Sequence, residues 1–396
     1  MLKNGSGVSR RNVLRIAGAS VATAAGSGLA AAEPGDTVEV NVGFASERGR
    51  QKALGAADEV VREFNSIDVV TLRLPKQAAT ALEQNPNIRY VEENGEMHAL
   101  AQDLPWGIDR VDAEIAHANG DTGAGADIAI IDTGIDDDHP DLQANLGKGR
   151  AFVNCGNGGY FGNCYWAGNS NSCNYPWSDD NDHGTHCAGI ADAVNNNEGV
   201  VGVSTEATLH AVKVLDCSGS GSFSDIAAGI EYVADQGWDV GSLSLGGSSD
   251  SSALRDAVQY ATDNGVLLVA TAGNEGSCTD CVGYPAAYPE VVAVSSTDSN
   301  DNLSSFSSQG PEVEIAAPGT DIYSTVPSGY DTFSGTSMAC PHVSGAGGQL
   351  MSNGSGNSQT RDTIKKTAEN IGLASNESGA GLLDVAAALG HDSSDN

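Results

Sequence analysis

Three short segments of the chain hold side chains that could do chemistry together. Ile130-Ile131-Asp132-Thr133-Gly134-Ile135 is an apolar run that ends on a carboxylate, and open α/β sheets keep their sites at the C-terminal edge of such strands. Asp182-His183-Gly184-Thr185-His186-Cys187 puts a histidine at the start of a helical pattern. Ser334-Gly335-Thr336-Ser337-Met338-Ala339-Cys340-Pro341-His342 puts a serine at the start of another. Each segment is ambiguous alone. Asp-Thr-Gly also occurs in ordinary strand-end turns and in aspartic proteases of the retroviral type. His183 and His186 could ligate a metal, but no acidic or histidine partner stands at the zincin spacing. Together the three supply a nucleophile, a base and a carboxylate. A serine hydroxyl is a poor nucleophile until a base takes its proton, and imidazole, titrating near neutrality, can take it and return it to a leaving amine. A carboxylate behind the imidazole fixes its tautomer and stabilises the imidazolium.

The elements that must position these groups are legible as pattern. From Ala101 onward, apolar strands of four to six residues alternate with longer helical stretches, as in a parallel sheet covered on both faces. The strands expected are Asp127–Ile131, Leu209–Val214, Val266–Ala270 and Val291–Val294. Pro341 is expected in the first turn of the helix after Ser337, where its missing N–H costs nothing, and Ser344, Gly345, Ala346, Gly347 and Gly348 let that helix pass close to its neighbours. Before residue 100 the pattern is a small α+β unit of βαββαβ type, with strands at Val38–Val42, Val69–Leu74 and Ile88–Val91 and helices at Gln51–Phe64 and Lys76–Gln84. Residues 153–182, rich in Asn, Gly, Ser and Cys, read as a long surface insertion, and residues 391–396 as a polar tail.

The order Asp132, His183, Ser337 is that of subtilisin and differs from those of chymotrypsin and the α/β-hydrolases. The chain resembles the subtilisin-like serine proteases from residue 101 to about 390. Matching segments are Ala101-Gln102-Asp103-Leu104-Pro105-Trp106-Gly107, His139-Pro140-Asp141-Leu142, Ser244-Leu245-Gly246-Gly247, Ala272-Gly273-Asn274-Glu275 and Gly335 to Pro341. The resemblance implies a three-layer α/β fold with a mostly parallel central sheet, and a serine endopeptidase acting through an acyl-enzyme, with no catalytic cofactor. It implies His183 as base and acid, Asp132 behind it, and Asn274 donating to the oxyanion beside the Ser337 N–H. Protein and peptide substrates would lie extended between Gly219-Ser220-Gly221 and Ser244-Leu245-Gly246, with Gly283 at the base of a pocket for large apolar side chains. One departure is Gly241-Ser242-Leu243, where relatives commonly carry Ile-Asn-Met. The family's structural calcium loop corresponds to Val194, Asn196, Glu198 and Val200, joined by Gln102 and Asp141, and hard oxygen donors suit Ca²⁺. Residues 33–100 correspond to a ferredoxin-like propeptide that acts as chaperone and intramolecular inhibitor. Self-cleavage between Leu100 and Ala101 would release a catalytic domain at 101–390.

Composition sets the surroundings. The formal charge is −33, from 52 acids and 19 bases; residues 1–100 hold 12 acids and 11 bases, leaving 40 acids against 8 bases after them. Such a surface repels phosphate backbones, which argues against nucleic-acid partners, and repels itself unless salt screens it. A hydrophobic share of 40% argues against disorder. We read the acidity as adaptation to high salt; with the export signal it makes the chain most similar, within the family, to the halolysins of haloarchaea. Ser9-Arg10-Arg11-Asn12-Val13-Leu14-Arg15, a mild apolar run and Ala30-Ala31-Ala32 resemble a cleaved twin-arginine signal over residues 1–32. The product is expected outside the cell, meeting a membrane only during export. There the eight cysteines can pair: a local Cys278–Cys281 bridge is expected, Cys155, Cys164 and Cys173 should pin the insertion, and Cys187 reads as a buried free thiol. Cys340, three residues after Ser337, stands where relatives usually have Ser, Thr or Ala, and the resemblance does not explain it.

Overall fold

A computed structural model describes residues 37–94, 102–156, 173–276 and 278–393. The 1–32 segment, the Leu100–Ala101 junction, Cys164 and the last three residues of the tail lie outside the described residues. The chain divides into two compact units, Met1–Ala99 and Leu100–Asn396.

In the first unit β1 (Thr37–Phe44), α1 (Glu47–Leu54), β2 (Glu59–Glu63), β3 (Val69–Pro75), α2 (Lys76–Glu83) and β4 (Ile88–Glu93) follow in order. They form an antiparallel sheet in the order β2-β3-β1-β4. The helix expected over Gln51–Phe64 is corrected: it starts at Glu47, capped by Ser46, and stops at Leu54 before Gly55. Val60 instead pairs with Leu72 in an edge strand. Gly interrupts the helical run, and β-branched Val60 and Val61 pair better across a pleated sheet than in a helix. Val40, Val42, Leu72, Leu74, Ala79 and Leu82 make this unit's core.

The second unit is built on seven parallel strands: β5 (Asp127–Asp132), β6 (Arg150–Ala151), β7 (Thr208–Lys213), β8 (Val240–Leu243), β9 (Leu267–Thr271), β10 (Val292–Thr297) and β11 (Val313–Pro318). Their order is β11-β10-β9-β8-β5-β7-β6, and every pairing is parallel. The four strands expected from apolar runs are β5, β7, β9 and β10; the first three agree within one residue at each end, and β10 runs three residues further, to Thr297. After β5 the chain adds strands on one side and then returns to the other, so Asp132 stands at the reversal of strand order, where such sheets open a crevice.

Helices cover both faces. Short α3 (Trp106–Arg110) and α4 (Ala113–Asn119) precede β5; α5 (His183–Asp192), α6 (Phe223–Gln236), α7 (Ser252–Asp263), α8 (Thr336–Ser352) and α9 (Asn357–Thr367) follow. Residues of α5 and α8 share one core with Ile128, Ile130, Val269 and Val294; α6 and α7 share the other with Ile131, Leu243 and Leu268. Adjacent residues of one strand thus feed opposite cores, as the period of a strand requires. α8 is buried along nearly its whole length. Its approach to α5 depends on Gly345, where a Cβ would stand 2.6 Å from Ala191 O and 2.7 Å from Val203 Cβ. A hairpin of β12 (Ile322–Val326) and β13 (Gly329–Phe333) leads into α8.

Pro341 is a second correction. It lies inside α8, beyond the first turn, and a proline there leaves the carbonyl four residues back without its helical donor. That carbonyl is Ser337 O, which accepts instead from Ser244 Oγ at 2.8 Å and Cys187 Sγ at 3.5 Å.

Candidate active site

Asp132 ends β5, fully buried. Its Oδ1 accepts from Thr133 N at 2.7 Å and lies 2.8 Å from His183 Nδ1. His183 is the first residue of α5, and its ring stays partly open to solvent. Burial disfavours the imidazolium, but Asp132, through charge and hydrogen bond, and then the charge of Asp179 outweigh it and raise the pKa of His183 above its ordinary value. A base silenced by protonation would therefore lose activity earlier on acidification than a free imidazole.

Ser337 is the second residue of α8, and its hydroxyl donates to Ser244 O at 3.2 Å. Asn274, just beyond β9, is held by Oδ1, which accepts from Thr336 N and Thr336 Oγ1, both at 2.9 Å. Thr336 Oγ1 is itself bonded to Thr271 at the end of β9. This fixes the amide so that Nδ2 is the remaining donor. A Cβ on Gly335 would stand 3.6 Å from Asn274 Nδ2 and 3.6 Å from Ser337 N. Both nitrogens thus lie around Gly335, at the N-terminus of α8.

Beside His183 lies a cavity of about 450 Å³ whose walls include Gly219, Ser220 and Gly221 on one side and Ser244, Leu245 and Gly246 on the other. These are the two segments expected to flank an extended peptide. Apolar Leu215, Ile226, Leu254 and Tyr284 also line it. Sequence reading missed these four because they come from separate elements with no local signature. Gly283, expected at the base of the pocket, is not among the residues that line this cavity; a Cβ there would be 3.2 Å from Gly247 O. The departure at Gly241-Ser242-Leu243 faces inward: Leu243 is core, and Ser242 Oγ accepts from Ser344 Oγ at 2.8 Å and lies 3.7 Å from Cys340 Sγ. The two departures from the resemblance, Ser242 and Cys340, thus pack against each other.

The other reactive side chains are quiet. Burial pushes the Cys187 thiol well up and the Cys340 thiol to about 11, so neither is a thiolate near neutrality. His186 is stacked on Phe333 with Nε2 on Ile322 O and Asp331 O, and burial lowers its pKa to about 3. Cys155–Cys173 and Cys278–Cys281 are disulfides, and Cys217, unassigned from sequence, is disulfide-bonded as well.

The six residues expected around a cation are largely brought together. Gln102 Nε2 donates to Val194 O at 2.7 Å and Val200 O at 2.9 Å, and Asp141 accepts from Asn196 Nδ2 and Val200 N. Asn196 Oδ1 takes the Glu198 N–H; the Glu198 carbonyl has no contact that ties it to the cluster. The carbonyls of Val194 and Val200 already face the N–H end of the Gln102 amide beside the Asp141 carboxylate, and oxygens so gathered fit a hard cation. Gly199 is required by this loop: its φ is +55°, and a Cβ would lie 2.0 Å from both Asp141 Oδ2 and Tyr330 Oη.

An acidic group adjoins the site. Asp136 is buried, and burial, then Asp138, Asp137 and Asp179, raise its pKa to about 7. An unfolded Asp releases its proton at about 4, so the stabilisation from folded, protonated Asp136 is complete below that pH and lost as pH rises through 7. We expect Asp136→Asn to gain melting temperature relative to the parent between pH 4 and 7, with the gain constant above 7. Thermal melts across pH at fixed salt check this; a difference independent of pH would contradict it.

Residues 123–381 match the Subtilase family. Subtilisin E of Bacillus subtilis (strain 168) is 41% identical over 335 residues, covering 83% of each chain. An alkaline protease of Shouchella clausii is 43% identical over 333 residues, covering 83% of this chain and 81% of that one. Alkaline elastase YaB of a Bacillus species is 41% identical over 333 residues, covering 83% and 82%. The chain belongs to the subtilase family and is a serine endopeptidase of the subtilisin type. Coverage of 83% exceeds what residues 100–396 alone can supply, so the similarity reaches into the first unit. Among the described residues, no helix is long and apolar enough to cross a membrane.

Proposed function

We propose that the protein is a secreted, salt-adapted endopeptidase, made as a self-processed zymogen, that cuts proteins after large apolar residues. One observation carries the catalytic reading: the 2.8 Å Asp132–His183 contact lies beside a cavity edged by the two glycine-bearing segments. In the proposed reaction Ser337 Oγ gives up its proton to His183 and attacks the scissile carbonyl. The carbonyl oxygen takes the negative charge between Asn274 Nδ2 and Ser337 N. His183 then protonates the leaving amine, and water repeats the sequence on the ester. For a subtilisin oxyanion donor the known cost of removal is on the order of 10²–10³ in turnover.

Apolar Leu215, Ile226, Leu254 and Tyr284 in the cavity support a preference for apolar side chains. Similarity reaching into the first unit supports reading residues 33–100 as a propeptide, with release between Leu100 and Ala101. The twin-arginine pattern supports export. Gln102, Asp141, Val194, Asn196 and Val200 would hold a structural Ca²⁺, with Glu198 O closing the loop. On chelation at constant salt we expect a lower melting temperature, restored by Ca²⁺ and not by Mg²⁺, which demands a smaller octahedral shell; an unchanged melt would remove the cation from the account.

A fluorophosphonate probe at about 3 M salt, where charges are screened, together with casein hydrolysis, tests the whole reading. We expect Ser337 to be labelled and casein to be cut. No labelling would leave a binding protein of the same fold, and labelling without casein cleavage a narrow processing protease.

A further inference from the structure

Asp182, the residue before His183, has a left-handed backbone at φ 90° and gives its helix no side-chain cap. A non-glycine residue held there is strained and persists only if its surroundings hold it. What holds it is Asp179, fully buried. Its Oδ1 accepts from Thr133 Oγ1 at 2.8 Å, Asn181 N at 3.0 Å and Asp182 N at 3.3 Å. Its Oδ2 accepts from Thr185 N at 2.9 Å and Thr185 Oγ1 at 2.6 Å. Thr133 Oγ1 in turn accepts from Gly184 N at 2.9 Å. One carboxylate thus binds the turn after Asp132 on one side and the first turn of α5 on the other.

We propose that Asp179 is a positioning residue of the reaction, a buried carboxylate that locks the Asp132 turn to the His183 turn and so sets the register of the imidazole against Asp132. The proposal rests on the triad reading above. Its charge has a second effect, because a buried anion near a helix N-terminus is well solvated by N–H donors and its field favours the imidazolium formed during turnover. Asp179 also acts on Asp136, Asp182 and Cys187; Asp132 and His186 are the other charged or titratable groups coupled to His183, and Asp331 on β13 acts on Asp182. Lys213 of β7, also buried, is bonded to Asp180, Thr133 O and Leu215 O.

The test compares the secreted enzyme with Asp179→Asn and Thr133→Val, using active-site titration so that rates refer to folded sites. An amide cannot accept all five bonds, and a small displacement of reacting groups costs up to about 10² in rate. For Asp179→Asn we expect kcat down roughly 10- to 100-fold, KM little changed, and the acid limb of kcat/KM moved to lower pH. Thr133→Val keeps the charge and cuts the bridge; kcat should fall while the acid limb stays in place. A purely structural role would lower the yield of titratable sites and leave both readouts alone, and that result overturns the proposal. If Asp179→Asn gives no folded protein, Thr133→Val decides: unchanged kcat overturns the bridge. Ser337→Ala, run alongside, separates the two claims, since hydrolysis surviving there would sink the triad itself whatever the Asp179 variants do.

Discussion

Ser337→Ala should abolish turnover and arrest the protein at precursor length. The loss expected is about 10⁶-fold, the scale known for subtilisin itself when its serine is removed rather than a figure derived from this structure. The geometry explains why so little would remain. The proposed oxyanion donors, Asn274 Nδ2 and Ser337 N, would remain, but with no hydroxyl there is no ester, and His183 would have only water to activate. The fold should survive, because Ser337 Oγ contributes a single 3.2 Å bond to Ser244 O and the carbonyl of Ser337, which Ser244 and Cys187 hold, is unaffected. A near-parental melting temperature with no detectable casein cleavage is therefore expected. The same variant reports on maturation: mass spectrometry of the exported protein should find no terminus at Ala101. Trimming at Leu100 without added protease would show that another enzyme performs the cut.

What could be read from sequence and what could not divide along the range of the forces involved. Strands β5, β7, β9 and β10 are each built around a short apolar run, so their pattern survives without tertiary knowledge. Asp132, His183 and Ser337 were legible because each sits where an element begins or ends and its neighbours, small or apolar, are dictated by that junction. The helix over Gln51–Phe64 failed because pairing of Val60 with Leu72 overrides the local helical period. Pro341 failed because nothing local reveals that Ser244, 97 residues before it, would take over the carbonyl that the proline leaves without a donor. Asp179 carries no pattern at all; its role exists only once β5 and α5 are side by side.

Withdrawal of salt should unfold the second unit and take the activity with it. Residues after 100 carry 40 acids and 8 bases, and five of those bases are already paired. Arg110 binds Asp301 and Glu369, Arg361 and Lys365 bind Glu314, Lys213 binds Asp180 and Arg255 binds Asp250. Eight bases cannot balance 40 carboxylates, so negative charge is left in large excess. The neighbouring helices α6 and α7 illustrate it, with Asp225, Glu231 and Asp235 on one, Asp256 and Asp263 on the other, and Arg255 as their only base. Repulsion among such groups reaches about 10 Å at 0.1 M salt and about 3 Å at 1 M, so the compact state is penalised over many pairs at once when salt is removed. The first unit, near neutral, should not respond in this way. We expect the melting temperature of the mature enzyme to climb steeply from 0.1 M toward molar NaCl, followed by circular dichroism, with activity tracking it. Sucrose strengthens apolar burial by exclusion from the surface but screens nothing; it should fail to replace salt if charge repulsion is the cause. Equal rescue by sucrose would assign the effect to a weak core, and a melt insensitive to salt would remove the adaptation altogether.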